Sequence, residues 1–127
     1  MAERKKYEIT VAAHATYVAD QSDPSRGQYV FAYRITVTNT GSVSAQLMTR
    51  HWIITDGEHR VQEVRGDGVI GQQPLLKPGQ SFEYTSGTQI ATSVGTMRGS
   101  YQMVAEDGHT FDAPIAPFTL SVPRVLH

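Results

Sequence analysis

The segment RHWIITDGEHRVQEVRGDGVIG, residues 50–71, combines a strand–turn–strand pattern with the only tryptophan of the chain and a run of spaced glycines. Apolar and polar residues alternate around Asp56-Gly57, as they do in strands with one buried face. An Asp-Gly pair readily adopts the positive φ values of a two-residue hairpin turn. The segment therefore predicts a β-hairpin whose strands cover about 45–55 and 58–65.

The two-residue turn also determines which residues of the hairpin face each other. It places Trp52 opposite Val61 and puts both side chains, with Ile54, on the core face. The same register projects His51 and His59 from opposite faces of the hairpin. These two histidines are therefore not expected to share a metal ion.

The alternation continues outside this segment, so the chain has a hydrophobic period of two rather than 3.6 residues. Residues 29–37 give the clearest example, and the turn-forming residues 39–42 end it. The predicted strands outside the hairpin cover about 7–17, 29–37, 81–85, 96–105 and 109–122.

Strands of this number and spacing, with no amphipathic helix, predict an all-β fold, an antiparallel β-sandwich of about seven strands that is immunoglobulin- or fibronectin type III-like. A small closed barrel is the alternative. Pro114 and Pro117 cannot donate to a ladder, so the last strand is expected at an edge or broken there. A single domain is predicted over 1–127, with residues 1–6 and the last few loosely held.

Alternating aromatic residues on the predicted strands could form either a core or a platform for stacking nucleic-acid bases. Eleven basic and twelve acidic residues give a formal net charge of -1, which provides no general attraction for nucleic acid. We therefore assign to the core the aromatic residues Tyr29, Phe31, Tyr33, Phe82, Tyr84 and Tyr101.

The composition also narrows the location and the chemistry of the protein. The absence of cysteine excludes disulfides, thiolate metal sites and a cysteine nucleophile. No stretch of the sequence has the apolar length of a membrane-spanning helix, and the start has no signal-peptide pattern. The sequence predicts a cytoplasmic protein without membrane insertion.

The glycines at 66–71, GDGVIG, match the spacing of a dinucleotide-binding motif, but that motif requires a helix directly after it. Residues 72–79 contain two prolines and a glycine, which leaves no room for a helix. The glycines are therefore interpreted as sources of positive φ or a bulge in a long connection.

A second interpretation of the same loop is an anion site, because consecutive glycine amides can form a concave nest without a helix. The residues assigned to this site are Arg65, Gly66, Asp67, Gly68 and Gly71, with Arg50 and Lys77 as further cations that could lie nearby.

Metal and catalytic motifs are missing from the sequence. The five histidines, His14, His51, His59, His109 and His127, form no HxH, HxxxH or HExxH pattern. No serine has the context of a nucleophile elbow, and the paired carboxylates lie in unrelated loops. We predict no dedicated metal site, no cofactor and no enzymatic activity.

The residues that carry a family resemblance are Arg50, Trp52, Ile54, Asp56-Gly57, Val64, 66–71, Pro74, Leu76, Pro78-Gly79, Phe82, Tyr84 and 95–101. In this succession the chain resembles the bacterial ApaG family from about Tyr7 to Leu120. The resemblance implies a fibronectin type III-like sandwich and an association with cobalt and magnesium efflux or resistance. For related domains fused to eukaryotic F-box proteins, it implies a role in protein–protein interaction.

Two functions follow as hypotheses. The first is a non-catalytic interaction domain that binds a protein partner through end loops and an exposed sheet edge, linked to cobalt and magnesium handling through that partner. An exposed edge also allows a homodimer. The alternative is a phosphate, pyrophosphate or nucleotide sensor that uses the loop Gly66–Gly71.

Overall fold

The structure is a computed structural model that describes residues 5–123. Its strands are β1 (Ile9–Tyr17), β2 (Tyr29–Asn39), β3 (Ala45–Asp56), β4 (Val61–Asp67), β5 (Leu75–Leu76), β6 (Ser81–Ile90), β7 (Val94–Ala105) and β8 (Thr110–Ser121). Two single 3-10 turns, Ala19–Gln21 and Pro24–Arg26, connect β1 to β2. Within residues 5–123 no helix is long and apolar enough to cross a membrane.

The strands form two antiparallel sheets that face each other. One sheet has the order β1-β2-β6, and the other has the order β4-β3-β7-β8 with β5 paired to the start of β3. The predicted β-sandwich is confirmed. β8 is an edge strand, as its two prolines predicted, and its register with β7 shifts where Pro117 stands.

Inward-facing residues of both sheets form a single core cluster, because side chains alternate between the two faces of each strand. Trp52 lies at its centre, 3% exposed, with its ring edge-on to Tyr33, Tyr101 and Phe118. The assignment of the alternating aromatic residues to the core is confirmed, with Tyr29 and Phe82 only partly buried.

The hairpin between β3 and β4 has a longer turn than the sequence predicted. The Asp56 amide donates to the Arg60 carbonyl, and the His59 amide donates to the Asp56 carbonyl. Asp56 Oδ1 also accepts hydrogen bonds from the amides of Glu58 and Arg60, at 2.9 and 3.0 Å. The positive φ falls on His59, at 64°, so the two-residue turn at Asp56-Gly57 was wrong.

The longer turn changes the register and the exposed face of β4. Trp52 pairs with Val64 instead of Val61, a shift of three residues that reverses the two faces of β4. Val61, predicted in the core, is 63% exposed, whereas Val64 packs against the core. Trp52 and Ile54 are buried as predicted. The expected projection of His51 and His59 from opposite strand faces does not apply, because His59 lies in the turn.

The terminal segments are only partly described. Residues 1–4 and 124–127, which include most of the termini expected to be loosely held, lie outside the described residues. Within the described residues, the carbonyls of Lys5 and Lys6 accept hydrogen bonds from the Ser42 amide. The single-domain assignment stays a prediction.

Asn39 is a buried polar residue at the end of β2, and its side chain bonds to the β2–β3 connection and to β5. Its Nδ2 donates to the carbonyls of Val43 and Leu76, at 2.9 and 2.8 Å, and its Oδ1 accepts from the Gly41 amide. Asn39 is 1% exposed, so water cannot easily replace the amide group.

Replacing Asn39 by alanine is therefore expected to lower the free energy of unfolding by about 1–3 kcal/mol, the usual cost of leaving buried polar groups without partners. Chemical denaturation followed by Trp52 fluorescence measures the loss. The control is Thr38→Ala, on the exposed side of the same strand, and an equal loss in both variants would contradict the structural role of Asn39.

Candidate functional site

A cleft runs along the side of the sandwich where the edge strands β4 and β6 approach each other. Three cavities follow one another there, with volumes of about 340, 310 and 290 Å³. The first is lined by the ends of both strands, the second by Trp52, Val64 and Thr88, and the third by Arg50, Tyr84 and Ser86. The cleft therefore follows most of the length of β6.

β6 presents a free backbone edge to this cleft. Among the described strands β6 pairs only with β2. The Asn39 amide donates to the Gln80 carbonyl, and bonded and non-bonded pairs alternate along an antiparallel ladder. Tyr84 lies opposite Ile35, so Gln80 lies opposite Asn39 in the same register. The backbone groups of the even-numbered residues of β6 therefore bond to β2. The backbone groups directed to the free edge are those of Glu83, Thr85, Gly87 and Gln89.

Arg50 lies on the floor of the cleft, at the end of the inward-facing row of β3 that continues with Trp52 and Ile54. Its Nη1 donates to the carbonyls of Asp67 and Gly68, each at 2.9 Å. None of the carboxylates in residues 5–123 forms an ion pair with Arg50. The guanidinium is thus held in place by neutral groups and keeps its charge available in the cleft.

Two glycines of the loop are required by close packing. A Cβ on Gly66 would lie 2.7 Å from Arg50 Cζ and Nη2, so Gly66 provides the space that the guanidinium occupies. A Cβ on Gly68 would lie 2.2 Å from the Gln72 carbonyl oxygen, and Gly68 also has a φ of +60°. Both positions agree with the interpretation that the glycines serve backbone geometry.

The remainder of the loop is a tight reversal. The amides of Val69 and Gln72 each donate to the other residue's carbonyl, at 2.8 and 2.9 Å. Ile70 and Gly71 between them have φ values of 44° and 76°, as in a type I′ turn. The Gly68 amide donates to Met48, at a bulge in β3. Three of the amides that could form an anion nest are therefore engaged by the backbone.

The residues assigned to the anion site are only partly brought together. Arg65, Gly66 and Asp67 belong to β4 and line one cavity of about 330 Å³ together with Arg50. Arg65 reaches it from the other face of the sheet, because it pairs with His51 and not with Arg50. Lys77 lies in the turn after β5 and does not line a cavity with Arg50. Anion binding by the loop itself stays a prediction.

The inner wall of the cleft includes a pair of tyrosines that connects the two sheets. The hydroxyls of Tyr84, on β6, and Tyr101, on β7, share a hydrogen bond. Burial raises the pKa of Tyr84 to about 12 and also raises the pKa of Tyr101. Both hydroxyls are therefore neutral at physiological pH, and the charged side chains that line the cavity beside them are Arg50 and Asp67.

The histidines do not converge on a metal-binding arrangement. In the part of the chain that the structure describes, no three His, Asp or Glu side chains form a set of metal ligands. His51 Nε2 is buried without a hydrogen-bond partner and lies 3.7 Å from Glu63 Oε1. His127 lies outside the described residues. The prediction of no dedicated metal site remains a prediction.

A second polar cluster connects the β7–β8 turn to the residues before β1. Asp107 accepts a hydrogen bond from the Tyr7 hydroxyl and one from the His109 amide, and its Oδ2 lies 3.3 Å from Lys6 Nζ. The Tyr7 hydrogen bond, together with the His109 amide and Lys6, lowers the pKa of Asp107 to about 2.

Because the pKa of Asp107 is depressed in the folded protein, its contribution to stability is present at neutral pH and is lost as the pH falls from about 4 to about 2. Asp107→Asn is expected to lower the melting temperature at pH 7 and to have little effect near pH 2. Thermal unfolding followed by circular dichroism across this range, with Asp112→Asn as control, measures the difference. An equal deficit at both pH values would contradict it.

Sequence reasoning missed the cleft itself. The strand predicted at 81–85 is β6 in the structure and continues to Ile90, and its second half forms one side of the cleft. Ser86 and Gly87 are weak strand formers, so local preference gave no signal there. A signal for Arg50 was present, since it shares the parity of Trp52 and Ile54 and is therefore a charged residue on an inward-facing row.

The chain is similar to proteins of one family over its whole length. The family model described as the ApaG domain matches residues 19–105. Protein ApaG of Nitrosospira multiformis is 66% identical over 127 residues, which are 100% of both chains. Protein ApaG of Bordetella pertussis is 62% identical over 123 residues, 97% of this chain and 94% of the relative. A crystal structure from Bordetella pertussis, of a protein named ApaA, matches with a TM-score of 0.93 and 60% identity, covering 97% of this chain and 100% of its own.

Proposed function

The chain belongs to the ApaG family, and we propose that it is a non-catalytic interaction domain that binds an extended segment of a protein partner. The segment adds as a strand to the free edge of β6 and directs every second side chain into the cleft toward β4. Backbone hydrogen bonds provide the affinity in this mode of binding, and the pockets select the side chains.

The observation that carries this proposal is the unprotected edge of β6. Of the other edge strands, β1 and β8 pack beside each other, and β8 also contains Pro114 and Pro117. The seven-residue β4 contains alternating charges. β6 has ten residues, no proline and no lysine. Proteins normally protect an edge of this length from other strands, so one left open along a cleft is suited to a partner strand.

The interaction also gives the simplest account of the cobalt and magnesium association that the family resemblance implies. We propose that any influence on these ions passes through the bound partner, in the cytoplasm, and not through an ion site on this chain. In residues 5–123, the His, Asp and Glu side chains form no set of three metal ligands. This supports an influence on the ions through a partner.

The competing sensor function, with phosphate or nucleotide on the loop Gly66–Gly71, has less support from the loop geometry. A phosphate held by loop amides would have to displace the backbone bonds of Gly68, Val69 and Gln72. Within the turn 68–72, only the amides of Ile70 and Gly71 have no partner among the described residues. Two amides at one turn form a much smaller nest than phosphate sites normally provide.

Strand addition is tested with the variant Thr85→Pro. The Thr85 amide points to the free edge, so proline removes a group needed by an added strand without removing a bond to β2. The intact protein is used to select binders from a display library of twelve-residue peptides. Selected peptides are expected to lose at least about tenfold in affinity for Thr85→Pro, because the added strand loses the bond to the Thr85 amide and the proline ring obstructs the bonds beside it.

Thr85→Val is the matched control, because it changes the same exposed side chain and keeps the amide. It is expected to bind the selected peptides like the wild type. If the library yields no binder, or if the binders are indifferent to Thr85→Pro, strand addition to β6 is contradicted.

A further inference from the structure

We propose that the segment bound along β6 carries an acidic side chain that pairs with Arg50, and an apolar side chain two residues away from it. This inference rests on the proposed function and names the chemistry of the partner that the cleft selects.

The guanidinium of Arg50 uses only part of its hydrogen-bonding capacity. Its Nη1 is engaged by the carbonyls of Asp67 and Gly68, whereas Nε and Nη2 have no hydrogen-bond partner among residues 5–123. These two nitrogens form one of the edges by which arginine binds a carboxylate through two parallel hydrogen bonds. A half-buried cation is normally paired, so a carboxylate supplied by the partner completes the site.

The unpaired Nε and Nη2 of Arg50 face a cavity with aromatic walls. The cavity of about 290 Å³ that contains Arg50 is lined by Tyr33, Trp52, Tyr84 and Ser86, and by Asp67, whose carboxylate forms no ion pair with Arg50. Aromatic walls reduce access of water and strengthen a charge-assisted hydrogen bond. The Ser86 hydroxyl, on the inward face of β6, provides a further donor for a carboxylate oxygen. The ring hydroxyl of Tyr84 is already bonded to Tyr101.

The inward-facing residues of β6 are spaced so that they line two neighbouring cavities in turn. The neighbouring cavity, of about 310 Å³, also reaches Arg50 and is lined further along by Ile54, Val64, Met97 and Thr88. Ser86 lines both cavities, and Thr88 is the next inward residue of β6. In an added strand, successive inward side chains lie roughly 7 Å apart. An acidic residue in the first cavity therefore places the residue two positions away in the second cavity, beside the apolar side chains of Ile54, Val64 and Met97.

Peptides selected by the intact protein from the twelve-residue library test this inference. They are expected to share an aspartate or glutamate with an aliphatic residue at spacing two. A synthetic peptide of the consensus sequence is then compared with its Glu→Gln or Asp→Asn form by fluorescence anisotropy. Loss of the negative charge is expected to weaken binding to the wild type on the order of tenfold to a hundredfold.

The variant Arg50→Gln is expected to bind both peptide forms with equal, weak affinity, and Arg50→Lys to retain part of the preference for the acidic form. The peptide substitution leaves the protein unchanged, so the comparison does not depend on how the variants fold. Trp52 fluorescence checks that fold.

The outcomes separate this inference from the proposed function. Peptides that lose affinity for Thr85→Pro but show no preference for an acidic residue overturn the pairing with Arg50 and leave strand addition standing. Failure to select any peptide overturns both. A homodimer that Thr85→Pro converts to a monomer assigns the edge to a second copy of this chain and overturns the acidic partner.

Discussion

Replacing Trp52 by alanine is expected to lower the free energy of unfolding by about 3–5 kcal/mol, the cost of removing a large buried aromatic side chain. Trp52 is 3% exposed and contacts the rings of Tyr33, Tyr101 and Phe118, which come from both sheets. The cavity left behind would lie between the sheets and could not close without moving both. Urea denaturation followed by far-ultraviolet circular dichroism measures the change without relying on tryptophan fluorescence.

Val61→Ala is the informative control for this experiment. A two-residue turn would put Val61 opposite Trp52 in the core, whereas the observed register leaves it 63% exposed. Its truncation is therefore expected to change the free energy of unfolding by less than about 0.5 kcal/mol. A loss of several kcal/mol at Val61, or a small loss at Trp52, would contradict the observed register of β3 and β4.

The second large effect is expected at Gly68. Alanine there would adopt a φ of +60° and place its Cβ 2.2 Å from the Gln72 carbonyl oxygen. The backbone strain and the displacement of the turn together are expected to lower the free energy of unfolding by about 2–4 kcal/mol. The comparison is made by denaturant titration of the purified variants.

Gly71→Ala separates strain from collision in the same loop. Gly71 also has a positive φ, of +76°, but an added Cβ there meets nothing within 4 Å. The expected loss is about 1 kcal/mol, the cost of the left-handed conformation alone. Equal losses at Gly68 and Gly71 would show that collision with Gln72 is unimportant and would contradict the tight packing of the loop.

Period-two alternation was enough to predict the sandwich, because burial of one strand face dominates the choice of residues. In β2, Phe31, Ile35 and Val37 are fully buried, and Arg34 between them is exposed. Patterns of this kind depend only on neighbours along the strand. They can therefore be recognised without knowledge of the other sheet.

Turn geometry was harder to predict, because a side chain decided it. Asp-Gly favours a two-residue turn when only φ is considered. In this chain the Asp56 carboxylate accepts the amides of Glu58 and Arg60, and Oδ2 accepts Arg60 Nε at 2.7 Å. These bonds stabilise a longer turn and move the positive φ to His59.

The candidate site was beyond sequence reasoning for a different reason. Arg50 and Gly66 face each other in the ladder of β3 and β4, but only the packing of the two sheets brings Ser86 of β6 next to Arg50 across the cleft. The glycine pattern drew attention to the correct region. Its role in the structure is to accommodate the Arg50 guanidinium and a tight turn, and that role depends on contacts with residues distant in the sequence.

The central claim is that a partner segment adds as a strand to β6. Amide hydrogen exchange of the protein saturated with a selected peptide tests it most directly, residue by residue. The amides of Glu83, Thr85, Gly87 and Gln89 are expected to exchange at least about tenfold more slowly in the complex, because each gains a ladder bond. The intervening amides, which already bond to β2, are expected to change little. Unchanged exchange at all four edge amides in the saturated protein would contradict strand addition.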